Sequence, residues 1–514
     1  MPALSPAPAR LAAPAPFDDG DDARYLALRT RDARFDGRFF TGVTSTGIYC
    51  RPVCAVRMPR RENCRFFALA AQAESAGFRP CLRCRPELAP QALAWSVQDA
   101  TGILLTQALR LLEAPEHWQA GGDRAVVAQL AARLGVSDRH LRRIFQARLG
   151  VSAQRWLATR RLLAAKQLLA DTDLPVTQVA LASGFGSVRR FNAAFAAQYR
   201  LTPAQLRRTG GAPGGAGRPV VLGLRPPYDA AALLDFFAAR CLRGVEWVGR
   251  EPGQQILRRT LRLAAGGQSR TGWLELRFDA QRNRVLLQAS DGLLPALPQL
   301  IHRVRAWLDL DADPAAIDAV LGPHFTGGAG LRVPGTLDGF ELAVRAVLGQ
   351  QITVAAARTL AQRLVERFGE PLGTPWPGLD RLFPSAAALA RVPADALGSL
   401  GLVRQRHAAI VALARAVDSG VVSLDASADV PATLKALCAL PGIGDWTAQY
   451  IAMRALRWPD AFLAGDVALH AALGLRGTRQ PARAALAASQ AWRPWRSYGV
   501  LRTWAGLARP LSQA

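Results

Sequence analysis

Lysine is almost missing from this chain: among 64 Lys and Arg residues in 514, the only lysines are Lys166 and Lys435. Codon bias accounts for arginine over lysine, but not for the excess of positive over negative charge. Against 39 Asp and Glu the net charge is +25; a chain this basic meets a polyanion, most often nucleic acid. No run of 18 apolar residues occurs, which excludes a membrane-spanning helix, and no membrane partner is expected. The Pro/Ala-rich start interrupts any apolar helix of the kind a secretory signal needs, so the expected compartment is the reducing cytoplasm. Cysteines are few and odd in number, seven, which argues against a secreted disulfide framework. Cys64, Cys241 and Cys438 are scattered and read as free thiols.

The other four cysteines are grouped. Cys50 and Cys54 form one close pair and Cys81 and Cys84 another, with 26 residues between the pairs. That spacing suits a closed tetrahedral thiolate site, and zinc is its usual occupant. On spacing alone a structural zinc module is the better reading, although a zinc-bound thiolate is also a nucleophile.

The rest of the chain divides by composition. Residues 1–22 read as a disordered tail and 23–90 as the cysteine module. Residues 97–208 have helical periodicity. Residues 209–218 are a Gly-rich linker, which predicts two halves free to move independently. Residues 219–325 mix strands and helices, with Trp273 to Phe278 and Val285 to Gln288 as half-buried strands. Residues 326–510 read as helices.

Within the helical middle, Val126 to Phe145 has the pattern of a helix-turn-helix, with Gly135 at the turn and Ser137 capping the second helix. That helix presents Arg139, His140, Arg142 and Arg143. A second unit starts near Val176, turns at Gly184-Phe185-Gly186 and presents Arg189, Arg190 and Asn192. A long helix from about Ala153 to Leu169 joins them. Each arginine alone is as well explained by a solvated helix face; the pair of units points to the major groove of double-stranded DNA.

In the last region, Leu440-Pro441-Gly442-Ile443-Gly444-Asp445-Trp446-Thr447-Ala448 makes a tight turn that opens a helix. Backbone N–H groups around Gly442 and Gly444 can hold a DNA phosphate without reading sequence. Asp466 follows about 20 residues later. An aspartate at such a place most often caps a helix. A fixed carboxylate can also stabilise positive charge that develops in a reaction. Trp446 and Tyr450, four apart on one helix face, are as well explained by an aromatic core as by electron-rich rings offered to a cation.

Three resemblances follow from these motifs. Thr46-Gly47-Ile48-Tyr49-Cys50-Arg51-Pro52-Val53-Cys54 and Ala76-Gly77-Phe78-Arg79-Pro80-Cys81-Leu82-Arg83-Cys84 resemble the N-terminal domain of the Ada adaptive-response regulator. This implies that Cys50 accepts a methyl group from a DNA methylphosphotriester, with Cys50, Cys54, Cys81 and Cys84 holding Zn2+. Methylation would remove about one unit of negative charge from the site. That unit is worth on the order of 2–3 kcal/mol against a phosphate roughly 6 Å away, about a hundredfold in DNA affinity. The paired helix units, with Gly184-Phe185 and Pro203, resemble the AraC-type DNA-binding domain. This implies a transcriptional activator, with promoter DNA and RNA polymerase as partners.

The C-terminal half is similar to the AlkA-type 3-methyladenine DNA glycosylases of the helix-hairpin-helix superfamily, through Arg225-Pro226-Pro227-Tyr228-Asp229, Leu337-Asp338-Gly339-Phe340-Glu341, Val347-Leu348-Gly349-Gln350-Gln351 and Trp495-Arg496-Ser497-Tyr498. The resemblance implies Asp466 as the catalytic residue and Trp446, Tyr450 and Trp504 as base-pocket residues. Gln351 stands where the family wedges a leucine into the base stack; Gln351, Ile352 or another residue would do this here. Gly465 stands where an acidic residue can precede the catalytic aspartate. Trp446, in place of the lysine of lyase members, implies hydrolysis by water alone. No iron–sulfur spacing follows the hairpin, and no Pro-Cys-His-Arg segment of an O6-methylguanine-accepting domain is present.

The expected protein is thus multidomain and mainly α. It has a small α/β zinc domain, an all-α double helix-turn-helix domain, a mixed α/β domain and an all-α helix-hairpin-helix glycosylase domain. The expected function is an alkylation-damage response that joins a methyl-accepting activator to a monofunctional glycosylase, acting as a monomer. The rivals are a regulator whose glycosylase half only binds DNA, and a glycosylase whose zinc and helical modules only anchor it.

Overall fold

The computed structural model describes residues 20–91, 100–118, 122–209, 219–251, 254–265 and 268–508. The fold class is the one expected, and no helix among the described residues is long and apolar enough to cross a membrane.

The first module is a four-stranded sheet of β1 (Phe40–Val43), β2 (Ile48–Cys50), β3 (Cys64–Phe67) and β4 (Arg79–Pro80), in the order β3-β1-β2-β4. Phe40, Tyr49, Ala73 and Phe78 form its small core. β2 and β4 are parallel, pairing Ile48 with Arg79 and Tyr49 with Pro80. The next residues, Cys50 at the end of β2 and Cys81 just past β4, therefore lie side by side, and the register itself assembles the cysteine site. Residues 1–19 of the expected tail lie outside the described residues. Its last two, Asp21 and Asp22, instead open a helix, Asp21–Thr30, where carboxylates favour the positive end of the helix dipole.

The second module has both helix-turn-helix units, Asp123–Arg133 with Asp138–Leu149 and Val176–Ala182 with Val188–Tyr199, joined by the long helix Ala153–Asp171. Ser137, Ser152 and Ser187 each accept a hydrogen bond from the backbone three residues on, which fixes where the helices begin. Gly135 sits in the turn at φ 68°, a conformation that favours glycine.

Residues 210–218 of the linker lie outside the described residues; Thr209 ends the helix Pro203–Thr209. The two halves are not independent bodies. Leu162, Leu168, Phe191 and Phe195 before the linker share one core with Val220, Leu222, Leu287 and Leu297 after it. Buried polar contacts reinforce the union. Asp171 pairs with Arg85 at 2.6 Å and accepts from the Val221 amide at 3.3 Å. The buried Arg225 donates to the Asp36 carbonyl at 3.0 Å, and Arg38 grips Asp313 through two hydrogen bonds of 2.8 and 2.7 Å. Linker composition reports the tether only; what holds the halves is the apolar face of the second helix-turn-helix unit against the sheet.

That sheet comprises β5 (Val220–Gly223), β6 (Glu246–Glu251), β7 (Gln254–Ala265), β8 (Gln268–Asp279) and β9 (Arg284–Ala289), antiparallel in the order β5-β9-β8-β7-β6. Both strands read from the sequence are present, as β8 and β9. The last module departs slightly from all-α, because Glu370–Pro371 pairs with Arg381–Leu382. Its core also starts earlier than residue 326: Ile317 and Leu321 pack with Phe462, Trp492 and Val500.

Candidate functional site

The cysteine site lies at the end of β2 and β4. The sulfurs of Cys50, Cys54, Cys81 and Cys84 all fall within 4.8 Å of one another, which suits four thiolates around one ion at Zn–S bonds of about 2.3 Å. The Arg51 amide donates to Cys84 Sγ at 3.4 Å. Donation of this kind steadies a thiolate's charge, so the donor set fits Zn2+, and the site is a zinc site. Cys50 is only 5% exposed, and Cys84 is the least buried of the four. The Arg51 guanidinium is held by Asp36, with Nε to Oδ1 at 2.8 Å. Exposed Arg57 and Arg83 flank the ligands in sequence; nothing in the cysteine spacing singled them out.

Arg139, Arg142 and Arg143 on Asp138–Leu149, and Arg189 and Arg190 on Val188–Tyr199, are all exposed. Arg142 meets Asp138 at 2.8 Å across one helical turn, and Arg143 contacts His140 at 3.0 Å. Such surface contacts hold a side chain weakly and release it readily to a phosphate.

The hairpin joins helices Val430–Cys438 and Asp445–Arg454. Gly442 is obligatory twice over: its φ is 77°, and a Cβ there would meet the Ala409 Cβ at 2.9 Å. Gly444 is exposed and open, with nothing within 4 Å of a built Cβ. Gln350 Nε2 braces this turn by donating to the Gly442 carbonyl at 2.9 Å and Thr447 Oγ1 at 3.0 Å.

Asp466 caps the helix Val467–Ala472, accepting from the Leu469 amide through Oδ1 at 2.7 Å. The capping role is real, and the site is built on it. The same carboxylate accepts from Trp446 Nε1 through Oδ2 at 3.0 Å and from Trp504 Nε1 through Oδ1 at 3.1 Å. A cap, two indoles and a nearly buried position fix the carboxylate at the edge of a cleft of about 2050 Å³ between the mixed α/β module and the helical module. Trp446 and Tyr450 stack at 5.3 Å between centroids with an 8° interplanar angle. The four residues read from the sequence, Trp446, Tyr450, Asp466 and Trp504, all line this cleft.

Gln351 stands beside the cleft, exposed at φ 57° at the turn before Val354–Phe368, while half-buried Ile352 lines the wall. The loop carrying Asp466 is pinned from behind. Arg496 Nε meets the buried Asp460 at 2.7 Å, and the Ser497 amide donates to the Pro459 carbonyl at 2.9 Å. The Trp495 to Tyr498 motif is therefore a brace for the site. Sequence reasoning missed two cleft arginines. Arg454 Nη1 donates to the Tyr450 hydroxyl at 2.5 Å, and Arg240 lies 3.7 Å over the Phe236 ring beside it. The only signal was helical spacing, Arg454 falling one turn after Tyr450.

The fold and its two sites define a class: a zinc-thiolate module and paired helix-turn-helix units built onto a helix-hairpin-helix base-excision module. Family models agree along the chain. They match the metal binding domain of Ada at 23–87, a helix-turn-helix domain at 130–209, the AlkA N-terminal domain at 219–338 and the HhH-GPD superfamily of base excision DNA repair proteins at 344–496. The chain is 38% identical over 503 residues to a probable bifunctional transcriptional activator/DNA repair enzyme AlkA of Mycobacterium tuberculosis, covering 95% of this chain and 97% of that one. It belongs to that family of bifunctional activator and repair enzymes. Its C-terminal half is 34% identical to DNA-3-methyladenine glycosylase 2 of Escherichia coli, over 55% of this chain and 95% of the relative. Its N-terminal part is 36% identical to the bifunctional transcriptional activator/DNA repair enzyme Ada of Escherichia coli, over 32% of this chain and 43% of the relative.

Proposed function

We propose that the protein excises alkylated bases such as 3-methyladenine from double-stranded DNA, and that it also takes a methyl group from a DNA methylphosphotriester onto Cys50 to become a stronger promoter-binding activator. The observation that carries the first activity is the Asp466 carboxylate, oriented by a backbone amide and two indoles at the edge of an aromatic-lined cleft. As the C1′–N bond of a flipped nucleotide breaks, positive charge grows on the sugar, and this preorganised carboxylate stabilises it. Water adds to C1′ and passes its proton to Asp466. Trp446 occupies the place of an amine nucleophile, so the product is an abasic site, with no covalent sugar adduct. Gln351 fills the gap left by the flipped base, and the backbone around Gly442 and Gly444 holds the neighbouring phosphate.

For the second activity, the Cys50 sulfur attacks the methyl carbon, the C–O bond breaks, and the phosphodiester leaves with the electron pair. Zn2+, when bound, keeps all four sulfurs as thiolates near neutral pH. The loss of negative charge then strengthens binding through Arg139, Arg142, Arg143, Arg189 and Arg190. The protein acts there as a monomer that touches RNA polymerase.

The first activity is tested by free-base release from methylated DNA. Asp466→Asn keeps the helix cap, because Asn caps nearly as well as Asp, so it should fold normally and lose on the order of a hundredfold or more in rate. Equal release by wild type and Asp466→Asn would remove the proposed role.

A further inference from the structure

The two arginines in the cleft change what Tyr450 can do. A guanidinium has donors and no acceptor. All three Arg454 nitrogens are committed: Nε to the Pro334 carbonyl at 2.7 Å, Nη2 to the Gly335 carbonyl at 3.2 Å, and Nη1 to the Tyr450 oxygen at 2.5 Å. The phenol oxygen must therefore accept, and its own proton must point away from Arg454. Among the described residues no group accepts that proton, and Tyr450 lines the cleft with Asp466 and Trp504. The cations that act most strongly on the phenol are Arg454 on its own helix, Arg240 beyond the end of helix Ala230–Ala238, and Arg345 on Gly339–Leu348, while Asp235 and Asp466 line the same cleft. Burial alone would raise the phenol's pKa; these three guanidinium groups outweigh it and hold the phenol below tyrosine's ordinary value.

We infer that Tyr450 is a second catalytic residue, donating its phenol proton to an acceptor atom of a flipped base that carries no positive charge. The inference rests on the glycosylase reading above. A cationic alkylated base leaves as a neutral molecule and needs no proton. A neutral damaged base would leave as an anion, so its departure is helped by a donor. The C1′–N bond breaks, its electron pair goes to the base, and the Tyr450 proton neutralises it. Water adds to C1′, Asp466 takes the water's proton and releases it to solvent, and solvent returns a proton to the phenolate, so the net reaction is hydrolysis. The nearby guanidinium groups stabilise the transient phenolate.

Two duplex probes separate the classes: one with a single 7-methylguanine, cationic, and one with a single 1,N6-ethenoadenine, neutral. Tyr450→Phe keeps the ring and its stacking on Trp446. It should slow release of both bases, but ethenoadenine release by at least tenfold more than 7-methylguanine release. Independently of any variant, the wild-type rate on ethenoadenine should fall as pH rises through the lowered phenol pKa. Equal losses on the two probes, or a wild-type ethenoadenine rate flat in pH up to 10, would overturn the role of Tyr450 while leaving the glycosylase reading intact. Release of neither base by wild type would overturn both.

Discussion

Glu74 shows how much a single residue holds together here. Its buried carboxyl accepts from Tyr49, the neighbour of Cys50, at 3.1 Å and from Thr159 on the long helix at 2.6 Å. Among the described residues no cation pairs with it directly, and burial, only partly offset by hydrogen bonds and the charge of Arg155, pushes its pKa up to about 7. A carboxyl raised in the folded state contributes stability that is fully present below its unfolded pKa, and that stability fades as pH climbs through the folded value. The window here runs from the ordinary 4.5 to about 7. Glu74→Gln removes the titration, so relative to wild type it should gain stability between those pH values, by on the order of 3 kcal/mol at most at pH 8. Urea unfolding of both proteins at pH 5 and pH 8 measures it; a stability difference independent of pH would contradict it.

At the scale of elements, the motifs that identified the C-terminal half are mostly caps and braces. Asp229 and Asp338 cap helices, Glu341 joins a buried ion-pair network with Arg259 and Arg345, and Arg496 holds Asp460. Their function is to set the cleft walls and the loop before Asp466. Asp460→Asn leaves Arg496 buried without its countercharge, which costs about 3–5 kcal/mol. The accompanying loss of base release should exceed that of a destabilised variant elsewhere, because the loop loses its anchor; matched activity per folded molecule would show that the brace is stability alone.

Local signals made these elements legible. Serine caps and left-handed glycines wrote the helix-turn-helix units into the sequence, and the two cysteine pairs wrote the metal site. The parallel β2–β4 register that brings the pairs together, the cleft arginines and the burial of Cys50 were not legible. Each depends on contacts between residues far apart in the chain.

For the molecule as a whole, the union of the halves is the largest departure from the sequence reading. A Gly-rich linker spans the join, yet one core runs through both sides, with Asp171 and Arg225 bonding across the interface. Proteolytic cleavage within residues 210–218 should leave the two pieces co-eluting in size-exclusion chromatography at physiological salt. Separation into two folded monomers would contradict a shared core. The same union places the zinc site one contact from the repair half, since Asp36 binds Arg51 through its carboxylate and Arg225 through its carbonyl.

The central claim is that one polypeptide both senses alkylated DNA and removes the damage. Its most direct test is to incubate the zinc-loaded protein with methylated DNA, then measure intact and peptide mass and assay free bases in the same tube. The account predicts a single methyl group on the peptide containing Cys50, absent in Cys50→Ser, together with methylated base in solution that Asp466→Asn does not release. Free base with no methyl on Cys50, or a methylated Cys50 with no free base, would contradict it.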